Sequence, residues 1–239
     1  MTVKVLQHRT EIQHARNELL RRDISALSGS GLMDRILNRL RLKKPVPVGN
    51  FLKSWDVLLT ADFIKDRLPA AAPILDMGAC FSEILCVLHR MKYTALTGID
   101  LNPAVAGMPY AKKIRYEVGD LMRTPFADKS FAAVTAVSVI EHGFQSGALL
   151  KELARLLRPG GYFIASFDYW PKKIDTSGCK LFDMDWRIFS SEEVLAFIEE
   201  AKSCGFSPCG PVELAADEAL IETVGKSYTF AWLVLQKTA

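Results

Sequence analysis

The chain has 239 residues, 49% of them hydrophobic and 24% charged, which suits one globular α/β domain with additions and argues against two full domains. No apolar run approaches the roughly 20 residues of a membrane-spanning helix, and the charge-rich first residues contain no signal-peptide core, so the expected location is the cytoplasm. The net charge of +3 is uneven: residues 1–50 carry +6 and the remainder −3, which weakens the case for a uniformly basic, nucleic-acid-coating protein.

From Arg9 to Leu27 apolar residues recur at helical spacing, and Ser28-Gly-Ser-Gly31 reads as a hinge. Leu32 to Leu42 reads as a second amphipathic helix, ended by Pro45-Val-Pro47. Residues 1–50 are therefore expected to be a helical extension of a 51–239 domain. The pair either covers the mouth of that domain as a lid or is a solvated basic pair with a packing role. Phe51 to Leu68 should be a helix with Leu52, Trp55, Leu59, Phe63 and Leu68 facing inward.

Short apolar runs then alternate with helical patterns. Strands are expected at Pro73–Leu75, Thr94–Ile99, Ile114–Val118, Ala132–Val139 and Tyr162–Phe167, with helices at Ser82–Met91 and Gly147–Leu157. Arg158-Pro-Gly-Gly161 reads as a turn that resets the chain direction. A 22-residue connection, 168–189, precedes a helix capped at Ser190-Ser-Glu-Glu193, and connections that long are usually functional or mobile. Phe206–Leu214 and Thr229–Leu235 supply the last strands. The fold class is α/β, a doubly wound and mostly parallel sheet.

The chemistry concentrates at Pro73-Ile-Leu-Asp-Met-Gly78 and Thr97-Gly-Ile-Asp100. Asp76-Met-Gly78 is a sharp turn at the carboxyl end of a buried strand, where a parallel sheet holds its ligand, and an acid about 20 residues later commonly takes a ribose diol. Asp100 is that acid. Gly78 and Ala79 would offer backbone amides or close approach at a helix start. Cys80, Cys86, Cys179, Cys204 and Cys209 have neither metal-ligand nor disulfide-framework spacing and read as reduced, and His8, His14, His89 and His142 form no metal motif.

Ile74-Leu-Asp-Met-Gly-Ala-Cys80, Thr97-Gly-Ile-Asp-Leu-Asn-Pro103, the stretch Tyr116–Phe131, Ala136-Val-Ser-Val-Ile-Glu-His-Gly143 and the stretch Leu153–Ser166 resemble, in order and spacing, the class I S-adenosylmethionine-dependent methyltransferases of the small-molecule branch. The resemblance covers about residues 51–239. It departs from the family pattern at Cys80 and Ser82, where glycines are usual. It implies a Rossmann-like sheet of seven strands in the order 3-2-1-4-5-7-6 with strand 7 antiparallel. It also implies S-adenosyl-L-methionine as cofactor, S-adenosyl-L-homocysteine as product, and a small-molecule or glycan-like acceptor.

By the same resemblance Asp76, Gly78, Ala79, Asp100, Leu101, Asp120, Leu121 and Ser138 bind the cofactor, Asp120 serving the adenine amino group. Glu141 and His142 stand near the acceptor. His142 is either a base for an acceptor hydroxyl or a hydrogen-bonded residue that shapes its loop. Asp168, Tyr169, Trp170 and Trp186 either line an acceptor pocket or pack the connection down.

Three rivals compete. A nicotinamide-dependent dehydrogenase needs glycines where Cys80 and Glu83 stand. A binding or scaffold protein that has lost catalysis would fit the substituted glycines. An RNA-directed methyltransferase would use the basic N-terminal segment, which lacks the interleaved aromatics that stack bases.

Overall fold

The computed structural model describes residues 3–27, 46–143 and 145–238, so the expected Ser28–Gly31 hinge and Leu32–Leu42 helix lie outside the described residues. The strands, in chain order, are β1 Val3–Val5, β2 Ile74–Met77, β3 Leu96–Asp100, β4 Arg115–Val118, β5 Phe131–Val137, β6 Leu157–Tyr169, β7 Lys180–Leu181, β8 Met184–Asp185, β9 Phe206–Pro208, β10 Ile221–Thr223 and β11 Lys226–Lys237. Helices occupy Arg9–Arg21, Ser54–Arg67, Ile84–Arg90, Ser146–Leu156 and Ser191–Ser203. Two compact units divide the chain, one of residues 12–121 and one of residues 1–11 with 122–239.

In the 12–121 unit β2, β3 and β4 run parallel in the spatial order β4-β3-β2, matching the 3-2-1 half of the expected sheet. All four residues of β2 are buried, as a strand covered on both faces should be. The helix Ser54–Arg67 buries Trp55, Val57, Ala61 and Ile64. The expected inward stripe is corrected: Leu52 is exposed, and Leu59, Phe63 and Leu68 are only half-buried. Helical spacing from Val57 through Ala61 to Ile64 marks the true face, which large side chains obscured.

The N-terminal helix stops at Arg21, earlier than its apolar pattern runs. Asp23 adopts φ +54, and Ile24 and Ser25 both donate backbone hydrogen bonds to Leu19 O, so the chain folds back. The basic residues of this stretch are largely engaged. Arg16 pairs with Glu83, Arg21 and Arg22 both pair with Glu18, and Arg22 also pairs with Asp62. Hydrogen bonds from Arg21 and then Arg22 hold the Glu18 carboxyl down to about 2.

In the other unit β5 and β6 are parallel, β11 is antiparallel to β6, and β9 pairs with β11, giving the 4-5-7-6 half. Among the described residues, β1 and β10 join the main sheet beyond the seven strands expected. β10, β1 and β9 pair in turn with residues 226–228, 231–233 and 235–237 of β11, so three short strands cover one edge of the long strand. The Arg158-Pro-Gly-Gly161 turn is also corrected. Strand pairing already starts at Leu157 opposite Phe131 and resumes at Tyr162 opposite Ala133, leaving residues 158–161 as a bulge. A Cβ on Gly161 would lie 2.9 Å from Arg158 O and 3.0 Å from Ala132 O, so the bulge needs glycine there.

The 168–189 connection is built rather than loose. β7 and β8 form a hairpin inside it, and Tyr169 and Phe189 bridge its ends. The following helix has the expected start, a capping box in which Ser190 and Glu193 bond each other's backbone amides.

Candidate functional site

In the 12–121 unit the carboxyl ends of β2, β3 and β4 stand side by side. Gly78 turns in the left-handed region, φ +73, which an L side chain resists. Its amide and that of Ala79 both donate to Ile99 O, at 2.9 and 3.1 Å. This corrects one expectation: the two amides are used by the sheet, so Gly78 and Ala79 offer a ligand close approach rather than free donors.

Asp100 ends β3 and faces the same turn. One carboxylate oxygen accepts from Cys80 N at 2.9 Å and the other from Asn102 N at 2.7 Å. Each oxygen keeps a further lone pair on a half-exposed carboxylate, so two more donors, such as a vicinal diol, can be accepted. Asp100 O in turn accepts from Gly119 N at 2.9 Å, which brings Asp120 beside it. Leu101 and Asp120 are exposed, Leu121 half-exposed, and Asp76 fully buried in β2. Seven of the residues expected to bind cofactor, Asp76, Gly78, Ala79, Asp100, Leu101, Asp120 and Leu121, thus gather at three adjoining strand ends.

Gly98 was missed. A Cβ there would come within 2.7 Å of Ala79 Cβ, 2.8 Å of Tyr116 Cδ1 and 2.9 Å of Leu85 Cδ1, so β3 requires a glycine for the turn to close on it. A lone glycine inside a strand pattern signals such close approach. Cys80 stands where the resemblance leads to the expectation of a glycine. Burial and then the Asp100 carboxylate push its thiol up to about 11, so near neutral pH it is an uncharged, weakly nucleophilic group.

The other two candidates belong to the other unit. Ser138 follows β5 in a left-handed conformation, φ +55, with its amide donating to Ser166 O at 3.0 Å. Its buried Oγ has no hydrogen-bond partner among the described residues. Strained residues of this kind collect at functional sites. His142 pairs across an antiparallel bridge with Trp186 and meets Phe182 edge-on, ring centroids 5.3 Å apart. Gly143 N donates to Asp185 O and Arg187 N to Glu141 O, so the loop 141–143 is laced to residues 185–187.

Beneath that loop lies a buried polar and aromatic cluster. Trp186 Nε1 donates to Asp168 Oδ2 at 2.8 Å, and Trp186, Tyr228, Asp168 and Glu141 are all buried. Burial and then the Asp168 carboxylate push the Tyr228 phenol well above its ordinary value. Tyr169 is fully buried and hydrogen-bonds to Ser191 Oγ and Leu214 O. Of the two readings of these aromatics, Tyr169 and Trp186 pack the connection down.

Residues 75–165 match the family described as "Methyltransferase domain". The ubiquinone/menaquinone biosynthesis C-methyltransferase UbiE of Desulfotalea psychrophila is 32% identical over 137 residues, 54% of each chain. A sterol 24-C-methyltransferase of Gibberella zeae is 34% identical over 98 residues, 38% of this chain and 26% of that one. The chain thus spans about half the length of the first relative and about a quarter of the second. Among solved structures, geranyl diphosphate C-methyltransferase from Streptomyces coelicolor superposes with a TM-score of 0.58 at 16% identity, covering 75% of this chain and 79% of that one. The [4+2]-cyclase SpnF gives 0.54 at 15% identity over 100% of this chain and 99% of its own. The fold is the doubly wound, mostly parallel Rossmann-like α/β fold of these structures, and within it residues 75–165 carry the match to the methyltransferase domain family.

Proposed function

We propose that this protein transfers a methyl group from S-adenosyl-L-methionine to a small-molecule or glycan-like acceptor, releasing S-adenosyl-L-homocysteine. The observation that carries the reading is the Asp100 carboxylate, held against the glycine turn by Cys80 N with acceptor capacity left on both oxygens. A ribose diol fits that group. Asp76, Gly78, Ala79, Leu101, Asp120 and Leu121 complete the cofactor set, with Ser138 contributing from its own loop. Residues 1–50 act as an N-terminal extension of the 51–239 domain.

The bound cofactor supplies an electrophilic methyl on a sulfonium, and the protein's share is positioning and exclusion of competing nucleophiles. The neutral Cys80 thiol suits such a site, because a thiolate beside a sulfonium would be a competing acceptor. Asp168 and Trp186 hold the 168–189 connection in one geometry. His142 takes the acceptor's proton where the acceptor is a hydroxyl. Five free cysteines fit a reducing compartment such as the cytoplasm.

Calorimetry with S-adenosylhomocysteine tests the cofactor, and an acceptor panel of quinols, sterols, prenyl diphosphates and sugars, assayed for S-adenosylhomocysteine formation, tests the reaction. Binding weaker than millimolar would refute the reading. A second reading has one observation behind it, the full-length superposition on the [4+2]-cyclase SpnF. Tight cofactor binding with no methylated product from any acceptor would favour that reading.

A further inference from the structure

The turn after β2 has a second anchor, away from Asp100. Arg16, in the helix Arg9–Arg21, and Glu83, which follows the turn, form a buried two-pronged ion pair, Nη1–Oε1 3.0 Å and Nη2–Oε2 2.8 Å. Arg16 also donates to Ser54 Oγ at 2.9 Å and to Ser25 Oγ at 2.7 Å. Glu83 Oε1 accepts in addition from Ala26 N at 2.7 Å. Two residues back, Phe81 O accepts from Gly49 N at 2.7 Å, and a Cβ on Gly49 would come 2.9 Å from Glu83 Oε2.

The residue between these anchors is under strain. Phe81 adopts φ +67, a conformation bulky residues rarely hold unless their surroundings fix it. On one side of it Cys80 N is bonded to Asp100, and on the other Glu83 is bonded to Arg16. A buried ion pair is seldom better for stability than an apolar pair of similar volume, but its fork fixes direction and register.

We propose that Arg16 and Glu83 are positioning residues. Acting through Phe81, they hold the 80–82 turn so that Cys80 N stays on Asp100 and the carboxylate stays aimed at the ligand. The inference deepens the cofactor reading and rests on it for the identity of that ligand.

The test compares wild type with Arg16→Lys, Arg16→Met, Glu83→Gln and the double variant Arg16→Met/Glu83→Met, each well below its own melting temperature. Hydrogen exchange of the Cys80 and Ala26 amides is read without nucleotide, and S-adenosylhomocysteine affinity by calorimetry. Arg16→Met should speed Cys80 exchange and weaken S-adenosylhomocysteine by about tenfold each, with Arg16→Lys in between. The double variant should regain melting temperature without regaining affinity or Cys80 protection. Affinity and protection that recover together with melting temperature would reduce the pair to a structural role and overturn the proposal. Wild type that fails to bind S-adenosylhomocysteine would refute the cofactor reading, and Cys80 exchange would then decide the positioning role alone.

Discussion

The two units build their strand ends from opposite materials. At the ends of β2, β3 and β4 the geometry is made of backbone: a left-handed Gly78, a Cβ-free Gly98, amides on Ile99 O, and one carboxylate bound by two main-chain donors. After β5 and β6 it is made of large buried side chains, Glu141, Asp168, Trp186 and Tyr228, laced to a hairpin. A backbone-built end admits a ligand edge closely and tolerates almost no added atom. A side-chain-built end can be re-cut by substitution without disturbing the sheet. That contrast fits a part whose ligand is shared across a family and a part whose ligand is particular to each member.

The largest expected effect tests the backbone-built end directly. Asp100→Ala should weaken S-adenosylhomocysteine binding by about 100-fold, because charged-group hydrogen bonds contribute about 1.5–3 kcal/mol each. Asp100→Asn should lose less, since one amide oxygen can still accept. Calorimetry distinguishes them, and equal affinity for all three proteins would remove Asp100 from the site.

Next is the single added carbon. Gly98→Ala places a Cβ under 3 Å from Ala79, Tyr116 and Leu85, and overpacking of this kind costs about 1–3 kcal/mol. The urea midpoint should fall and cofactor affinity should fall with it. At the other end, Trp186→Phe removes the bond to Asp168 Oδ2 together with one ring of a buried indole. It should cost about 2–4 kcal/mol of stability and alter acceptor turnover while leaving S-adenosylhomocysteine affinity unchanged. A shift in cofactor affinity from Trp186→Phe, or none from Gly98→Ala, would break the contrast between the two ends.

How much of this the sequence disclosed follows the same division. The backbone-built end was legible because turns have residue-type rules: a glycine after a buried strand and an acid at the next strand end are local, so Asp76, Gly78 and Asp100 could be named. What backbone atoms do with their hydrogen bonds was not legible: Gly78 and Ala79 were expected to offer either amides or close approach, and Ile99 O already holds the amides. The Arg16–Glu83 pair joins residues 67 positions apart, and nothing local announces it. The strand β1 was hidden for a similar reason, since three residues, Val3–Val5, are too few for a periodic signal and gain their shape from β11. The side-chain-built end was readable only as a collection of aromatics whose role depended on packing.

The smallest effect is chemical and concerns the cysteine at the turn after β2. Cys80 is half-buried, yet its thiol is pushed up to about 11 by burial and then by Asp100. Its thiolate fraction at pH 8 is therefore about one part in a thousand, against roughly a quarter for an ordinary thiol of pKa about 8.5. Since a raised pKa favours the protonated form, alkylation by iodoacetamide should be slow at neutral pH and rise about tenfold per pH unit through the alkaline range. Asp100→Asn removes one of the two upward influences, so it should speed Cys80 labelling at fixed pH, while Cys86, pushed up to about 12 chiefly by burial, should stay inert in both proteins. Both cysteines lie on the tryptic peptide 68–90, so further cleavage after Glu83 by a glutamyl endopeptidase lets mass spectrometry separate the two sites. Labelling of Cys80 that is fast at pH 7, or indifferent to Asp100→Asn, would mean that the carboxylate does not face the turn, and the cofactor reading would lose its geometry.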